Sequence, residues 1–534
     1  MNIFCRIFHR IQREINLQLN RIQVLKVRRS FSGKFSSSDA RPVIIFNAST
    51  RLSGLSQNAG FSLITSLALQ KNHIPTHHFY CDKGLCPCVL GTDKNDPGKT
   101  PPCRECVRTS RLIIKDQNSH KFTYIENEEI KKAVENLNLG QLTNFIFQNI
   151  HLGEMVLPSM RWILRTHHLK NNKNNRLLAQ KYIQSAWGVF LQFSRLIDSL
   201  NPQAVVVFNG MFYPEAMARL AAQKKNIPVI SHEVGMLPFS AFFTNKEATA
   251  YPVKVDDDFQ LSDAQEARLD AYLEKRFKGD FQTAGVKFWK EIKQFNDALE
   301  KKINRFSKIV PVFTNVIFDT SQSHANKIFE HMFCWLELVI ENVKKHPDTL
   351  FVIRAHPDEI RPGKESRESV SDWIKKNDLI KIPNFVFIPP DEFISSYKLI
   401  SIAKFVMVYN STIGLEASIM GKPVLCAGKA RYTQIPTVFF PDSKRSYTNL
   451  LEQFLNSESV DHPQKMRENA RRVLYSQLFR ASLPFDKFLA EDGVWPGYVR
   501  LRKFSPDKLL KGRSDSIDVI LDGILKKKSF IREI

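Results

Sequence analysis

Residues 408–432, VYNSTIGLEASIMGKPVLCAGKARY, limit the fold of this chain more than any other stretch. A short apolar run enters Asn410-Ser411-Thr412, and a helical stretch with Gly414 and Glu416 follows. Gly421-Lys422-Pro423 then leads into a second apolar run at 424–427. Two strands joined through a helix in so short a span belong side by side and parallel in one sheet. The helix start presents unpaired N–H groups and the positive end of its dipole. Ser411 and Thr412 add hydroxyl donors, and Gly414 lets a ligand approach the backbone. Glu416, one turn in, is expected to accept hydrogen bonds from a sugar's hydroxyls. The second strand ends near Lys429 and Arg431. Adjoining strand ends with phosphate-compatible donors read as a nucleotide site, against the plainer reading of an ordinary capped helix.

A second element favours the site. Residues 350–355, LFVIRA, form a buried strand pattern, and His356-Pro357-Asp358-Glu359 follows at its C-terminal end, where open parallel sheets hold ligands. Proline stops the strand. A histidine donates to a phosphate oxygen in either protonation state, and Arg354, Arg361 and Lys364 crowd charge nearby. Apolar runs at 309–314, 350–355, 385–388, 405–409 and 424–427 alternate with helical patterns. In the first of these, Ile328, Phe329, Met332, Trp335, Leu336 and Val339 recur at helical spacing. This predicts a Rossmann-like domain over residues 304–480. It carries neither a G-x-G-x-x-G fingerprint nor a Walker loop, which argues against a dinucleotide oxidoreductase and a P-loop kinase.

The N-terminal half repeats the theme over residues 41–253. Strands are expected at 42–47, 73–80, 204–209 and 227–232, and helices at 61–70 and 214–223, with a polar loop at 49–60 that includes Asn58. A chain of 534 residues has room for two such domains. The fold class is therefore α/β, two Rossmann-like domains facing a cleft. Residues 1–40 are read as a basic helix and linker, 254–303 as a helical connector, and 481–534 as a C-terminal helical tail.

The pair RAHPDE and YNSTIGLEASIMGKPVL resembles the C-terminal domain of bacterial surface and capsule polysaccharide biosynthesis proteins, which are GT-B glycosyltransferases. CDKGLCPCVLGT, PPCREC, LPSMRWILR, and FNG followed by SHEVG extend the resemblance into the N-terminal half. It implies transfer of a sugar from a nucleotide-sugar donor to a polysaccharide or lipid-linked acceptor. By the same resemblance His356, Ser411 and Thr412 contact the donor phosphate, Glu416 the ribose or a neighbouring hydroxyl, and a carboxylate of the N-terminal domain is the base. Glu233, which follows a strand and is expected to face the cleft, is the candidate, with His232 and Glu215 as rivals and an ordinary strand-end carboxylate as the plainer reading. The Asp/Glu-Asp-Gly motif of the sialyltransferase relatives is missing. A departing nucleotide can be stabilised by helix starts and by Lys, Arg and His, so catalysis is expected to need no metal. Two competing readings are a UDP-sugar epimerase of the same architecture, and a non-catalytic polysaccharide-binding or assembly protein.

Five of the eight cysteines lie between Cys81 and Cys106. Cys103 and Cys106 form a C-x-x-C pair, and Cys88 with Cys81 or Cys86 would complete four ligands for a structural zinc, with free thiols, or an iron-sulfur cluster or redox role, as the alternatives. The resemblance covers Cys81, Cys88, Cys103 and Cys106, and so implies those four. Cys334 and Cys426 read as core. The formal net charge of +23 suits nucleic acid, an anionic membrane or an acidic substrate. No nucleic-acid module accompanies it, so nucleic acid is not expected. Arginines interrupt the N-terminal segment, so no secretory signal is read there. Ile3, Phe4, Ile7, Phe8, Ile11, Ile15 and Leu19 fall near one face of a basic helix. The expected location is cytoplasmic, and the helix has two readings, one that docks peripherally on the anionic inner face of the cytoplasmic membrane and one that packs on the protein or frays as a basic tail.

Overall fold

A computed structural model describes residues 3–30, 40–48, 54–116, 118–278, 282–283, 286–287, 295–392 and 394–534. Residues 49–53 of the polar loop, residues 31–39 of the segment read as helix and linker, and residues 288–294 of the connector, whose Phe288, Trp289 and Ile292 are read as helical from sequence, lie outside them.

In the N-terminal half, β1 (Val43–Asn47), β2 (Thr76–Cys81), β3 (Ser119–Phe122), β4 (Ala204–Phe208) and β5 (Val229–Val234) run parallel in the order β3-β2-β1-β4-β5. β6 (Ser240–Thr244) adds an antiparallel strand beside β5. Strand β1 is VIIFN, buried at every residue and β-branched at its start, which suits a central strand covered on both faces. Its two faces feed two cores. Ile44 and Phe46 pack with the long helix Lys173–Leu200, while Val43 and Ile45 pack with the helix Gln57–Lys71.

The C-terminal half uses β7 (Lys308–Phe313), β8 (Thr349–Arg354), β9 (Phe385–Ile388), β10 (Val406–Val408) and β11 (Val424–Cys426). All are parallel, in the order β9-β8-β7-β10-β11. Both halves therefore start on a central strand, build outward on one side, then return to build on the other. Each has its topological switch beside the first strand, β1 against β4 and β7 against β10, and ligands bind at such points.

Three expectations are corrected. The helix predicted to include Ile328 and Phe329 begins at Met332, because the His331 side chain accepts the Cys334 N–H and caps it there. The connector is helical at Asp263–Phe277 and Asp297–Ile303, with the two short strands Gln282–Thr283 and Val286–Lys287 between. Residues 481–534 are not a helical tail. Their first strand, β12 (Leu483–Pro484), pairs with β6 and completes the N-terminal sheet, and Leu489–Glu491 and Tyr498–Leu501 form a small antiparallel sheet with Leu55–Ser56. The helix Asp515–Lys526 shares the core of the helix Gln57–Lys71 through Ile517, Ile520, Leu521 and Ile524.

Candidate functional site between the two halves

The switch between β7 and β10 opens at Asn315 and Asn410, whose side chains are joined by a 2.6 Å hydrogen bond from Asn315 Nδ2. Above them lies a chamber of about 680 Å³ walled by both halves. The N-terminal half contributes Arg219, Lys246, Glu247 and Thr249. The C-terminal half contributes Asp319, His324, Lys327, His356, Asp358, Ser411, Thr412, Lys429 and Arg431. Five Lys and Arg side chains face three carboxylates, so the chamber favours an anion. A second chamber of about 340 Å³ shares His356, Asp358, Ser411, Thr412 and Arg431, and is closed by Tyr251, Arg276, Arg354, Tyr397 and Glu416.

His356 is fixed by its own turn. Its Nδ1 accepts the Asp358 N–H at 3.1 Å, which leaves the hydrogen of the neutral ring on Nε2, free to donate into the cleft. Burial holds this histidine below its ordinary value, so the neutral donor form is favoured. Ser411 and Thr412 stand beside it at the entry to the helix Ile413–Ile419. Lys429 follows β11 in the first chamber, with its backbone N–H bonded to Ala325 O at 2.9 Å. Arg354, at the end of β8, is buried, donates to Glu392 O at 3.3 Å and is drawn down to about 10 by burial.

Two residues take parts different from those expected. A Cβ on Gly414 would meet Tyr432 Oη at 2.5 Å and Val408 Cγ2 at 2.9 Å. The close approach it allows is thus Tyr432 reaching Ser411 O, at 2.6 Å, and not that of a ligand. Glu416 is buried and already held: Arg276 Nε and Nη2 each lie 2.7 Å from Oε1, and Tyr397 Oη donates to Oε2 at 2.6 Å. Its carboxylate reaches the second chamber as part of this Arg-Glu-Tyr unit.

Glu233 and His232 are adjacent on β5 and point to opposite faces. Glu233 accepts from Asn58 Nδ2 at 3.1 Å, Asn209 Nδ2 at 2.9 Å and the Val234 N–H at 2.8 Å, and burial raises its carboxyl above the ordinary range. It sits just behind Val234, Gly235 and Met236, which line the second chamber. His232 is fully buried beside Phe208 and Phe243, bonded to Ser62 Oγ at 2.8 Å and lowered to about 3 by burial. It does not reach the cleft. Glu215, the other rival, is also fully buried.

The sequence reading missed Arg276, Tyr397, Asp319, Asn315 and Tyr251. Asn315 was within reach, one residue beyond the first predicted strand of the C-terminal series. Arg276 was not, since it lies 140 residues from its partner in a connector of ordinary charged helix.

The cysteines gather away from the cleft. Cys81 ends β2, Cys88 follows the Cys86–Pro87 bend, and Cys103 and Cys106 occupy the first turn of the helix Cys103–Ile113. The Gly91 N–H lies 3.1 Å from Cys88 Sγ, and the Gly84 and Leu85 N–H groups serve Cys81. Burial, with a smaller part from Cys106 and Cys103, pushes the Cys81 thiol up to about 12. Among the described residues no three of these sulfurs lie within 4.8 Å of one another. The group that does is Glu330, His331 and Cys334. There His331 Nδ1 accepts the Cys334 N–H, so its Nε2–H donates to His168 Nε2 at 3.1 Å, which reads as a hydrogen-bond relay between the halves.

Comparison with known proteins bears on the half that carries most of these residues. Residues 268–436 match the family described as capsule polysaccharide biosynthesis protein. The match covers less than half of the chain. It holds Arg276, His356, Ser411, Thr412, Glu416, Lys429 and Arg431. A curated relative, Protein FixF of Sinorhizobium fredii, is 25% identical over 272 residues, covering 48% of this chain; the match spans 59% of the relative's length. Solved structures with partial likeness include two from Thermosulfurimonas dismutans KpsC. The beta Kdo 2,7 transferase is 16% identical over 63% of this chain and 90% of its own, with a TM-score of 0.33. The beta Kdo 2,4 transferase is 12% identical over 51% and 79%, with a TM-score of 0.34. UDP-GlcNAc 2-epimerase from Neisseria meningitidis, bound to UDP-GlcNAc, is 15% identical over 81% and 98%, with a TM-score of 0.21.

Proposed function

We propose that the cleft binds a nucleotide sugar and that the protein is a glycosyltransferase of surface or capsular polysaccharide synthesis, passing the sugar to a growing polysaccharide or lipid-linked acceptor. The observation that carries this reading is the anion-favouring chamber at the β7–β10 switch, where the His356 Nε2–H, the Ser411 and Thr412 hydroxyls and Lys429 converge. The family described for residues 268–436 supports the same pathway. The departing nucleotide phosphate would be stabilised by fixed cations and donors, which needs no metal. Arg354 and the Arg276-Glu416-Tyr397 unit would hold the nucleoside side of the donor in the second chamber. Glu233 is proposed as the base, since burial raises its proton affinity and two asparagines hold it beside that chamber. The protein would work on the cytoplasmic side of the membrane, where nucleotide sugars are available.

The test is acceptor-dependent release of nucleotide from a panel of nucleotide sugars, with membrane glycolipid extract as the acceptor source. Release that requires acceptor, and that falls about 10²–10⁴-fold in Glu233→Gln, supports the reading. A sugar rearranged without acceptor would identify an isomerase instead, and undiminished release in Glu233→Gln removes that residue as base.

The four gathered cysteines, Cys81, Cys88, Cys103 and Cys106, are proposed to hold a structural zinc. Thiolate donors with backbone N–H support suit that metal, and binding would draw the 86–106 loop inward from its present wider spacing. Zinc analysis under reducing purification should find about one ion per chain. Less than half of that, with an unchanged melting temperature after chelation, would leave them as free thiols.

A further inference from the structure

The helix Ile3–Arg29 docks by its polar side. Asn16, Asn20 and Gln23 are buried against the small sheet of the N-terminal half. Asn16 Nδ2 donates to Asp492 O at 2.7 Å, Gln23 Nε2 donates to Phe504 O at 3.1 Å, and Asn20 Oδ1 accepts the Leu501 N–H at 2.7 Å. Among the described residues, Leu17, Val24 and Val27 join the apolar core on that side. The outward side is the reverse of a normal surface helix. Of the 15 large hydrophobic residues exposed among the described residues, eight stand on this one helix. Phe4, Ile7, Phe8, Ile11, Ile15, Leu19 and Ile22 follow one another along one face at helical spacing, with Phe4 76%, Phe8 60% and Ile22 62% exposed. So long an apolar ridge is not left bare in water without a use.

Charge names the partner. The helix carries Arg6, Arg10, Arg13, Arg21, Lys26, Arg28 and Arg29 against a single acid, Glu14, which is already paired with Arg108 at 2.7 Å. An apolar ridge flanked by arginines matches the acyl and headgroup layers of an anionic bilayer, where long basic side chains reach back to the phosphates. No helix among the described residues is long and apolar enough to cross a membrane, so the helix would lie in the interface plane. We infer that the outward face of Ile3–Arg29 is a membrane-docking surface that seats the N-terminal half on anionic lipid. The polar docking makes sense in these terms, because hydrogen bonds to the body leave the apolar side free for the bilayer. The docking does not depend on which reaction the cleft performs.

The experiment is flotation of the full-length protein with phosphatidylcholine vesicles and with vesicles that also contain phosphatidylglycerol. The triple variant Phe4→Ser, Phe8→Ser, Ile11→Ser and the double variant Arg6→Gln, Arg10→Gln are run beside it, with melting temperatures to show that each is folded. The wild type should float with the anionic vesicles only, the triple variant should lose at least about tenfold in binding, and the double variant should bind more weakly with a reduced salt dependence. Equal flotation of wild type and triple variant, or no flotation of the wild type, would overturn the inference. So would a wild-type dimer that the triple variant turns into monomer without any vesicle binding, since the ridge would then be an interface between two copies.

Discussion

Glu359 lies under the turn that presents His356, buried, with the Val370 N–H 3.1 and 3.3 Å from its two oxygens. Burial raises its carboxyl to about 8 from an ordinary 4.5, so the folded protein keeps a proton that the unfolded chain releases. The stability this proton confers is complete below the unfolded value and is lost as pH climbs from there through about 8, at roughly 1.4 kcal/mol per pH unit. Glu359→Gln should therefore flatten the fall in stability between pH 5 and 8 measured by urea unfolding, and an unchanged slope would mean that Glu359 is ionised in the fold. His356 itself was legible because a histidine-proline pair ends a buried run of apolar residues. Glu416 was legible as a residue facing the candidate site but not in its bonding, because a carboxylate's partner cannot be read when it comes from a distant connector. Gly414 misled for a related reason: a glycine signals close approach without saying whether a ligand or a tyrosine does the approaching.

Among elements, the two halves meet in a clasp built on Glu368. Glu368, just before the helix Val370–Lys376, accepts from Thr166 Oγ1 at 2.8 Å, the His167 N–H at 2.8 Å, the His168 N–H at 3.0 Å and the His168 ring. The Arg367 N–H adds a bond to Arg165 O at 2.8 Å, and His331 meets His168 from a second element. Four donors on one carboxylate make Glu368 the main polar tie, and removing it leaves partly buried donors without an acceptor. Glu368→Ala should speed hydrogen exchange at residues 166–168 and raise the radius of gyration in solution scattering; unchanged exchange would assign the tie to Arg367 and His331 instead. None of this was legible, since LPSMRWILR ends as an ordinary amphipathic helix and 365–369 as a polar loop. Strands of four or more apolar residues were legible in both halves, whereas β12 has two residues and owes its place to β6.

At the scale of the whole molecule, two sheets of the same strand order face each other, and the chain ties them together at both ends. The connector sends Arg276 into the C-terminal half, while β12 and the helix Asp515–Lys526 return to the N-terminal half. The doubled βα pattern made the two-domain reading available from sequence, and the particular partners of the last segment were not, because they lie more than four hundred residues earlier, as Asn72 and Leu509 illustrate at 437 residues. Everything argued for the cleft rests on its taking a nucleotide at the His356 strand end. The most direct measurement is a thermal-shift series of the purified protein with CMP, UDP, GDP, dTDP and their sugars, run in parallel with His356→Ala. Binding to the folded state alone raises the melting temperature, and loss of a charge-assisted hydrogen bond of about 1.5–3 kcal/mol should weaken that binding roughly 10- to 100-fold. One nucleotide class that stabilises the wild type and shifts a folded His356→Ala clearly less at the same concentration is the predicted result; no stabilisation by any of them, or an equal shift in the variant, would contradict it.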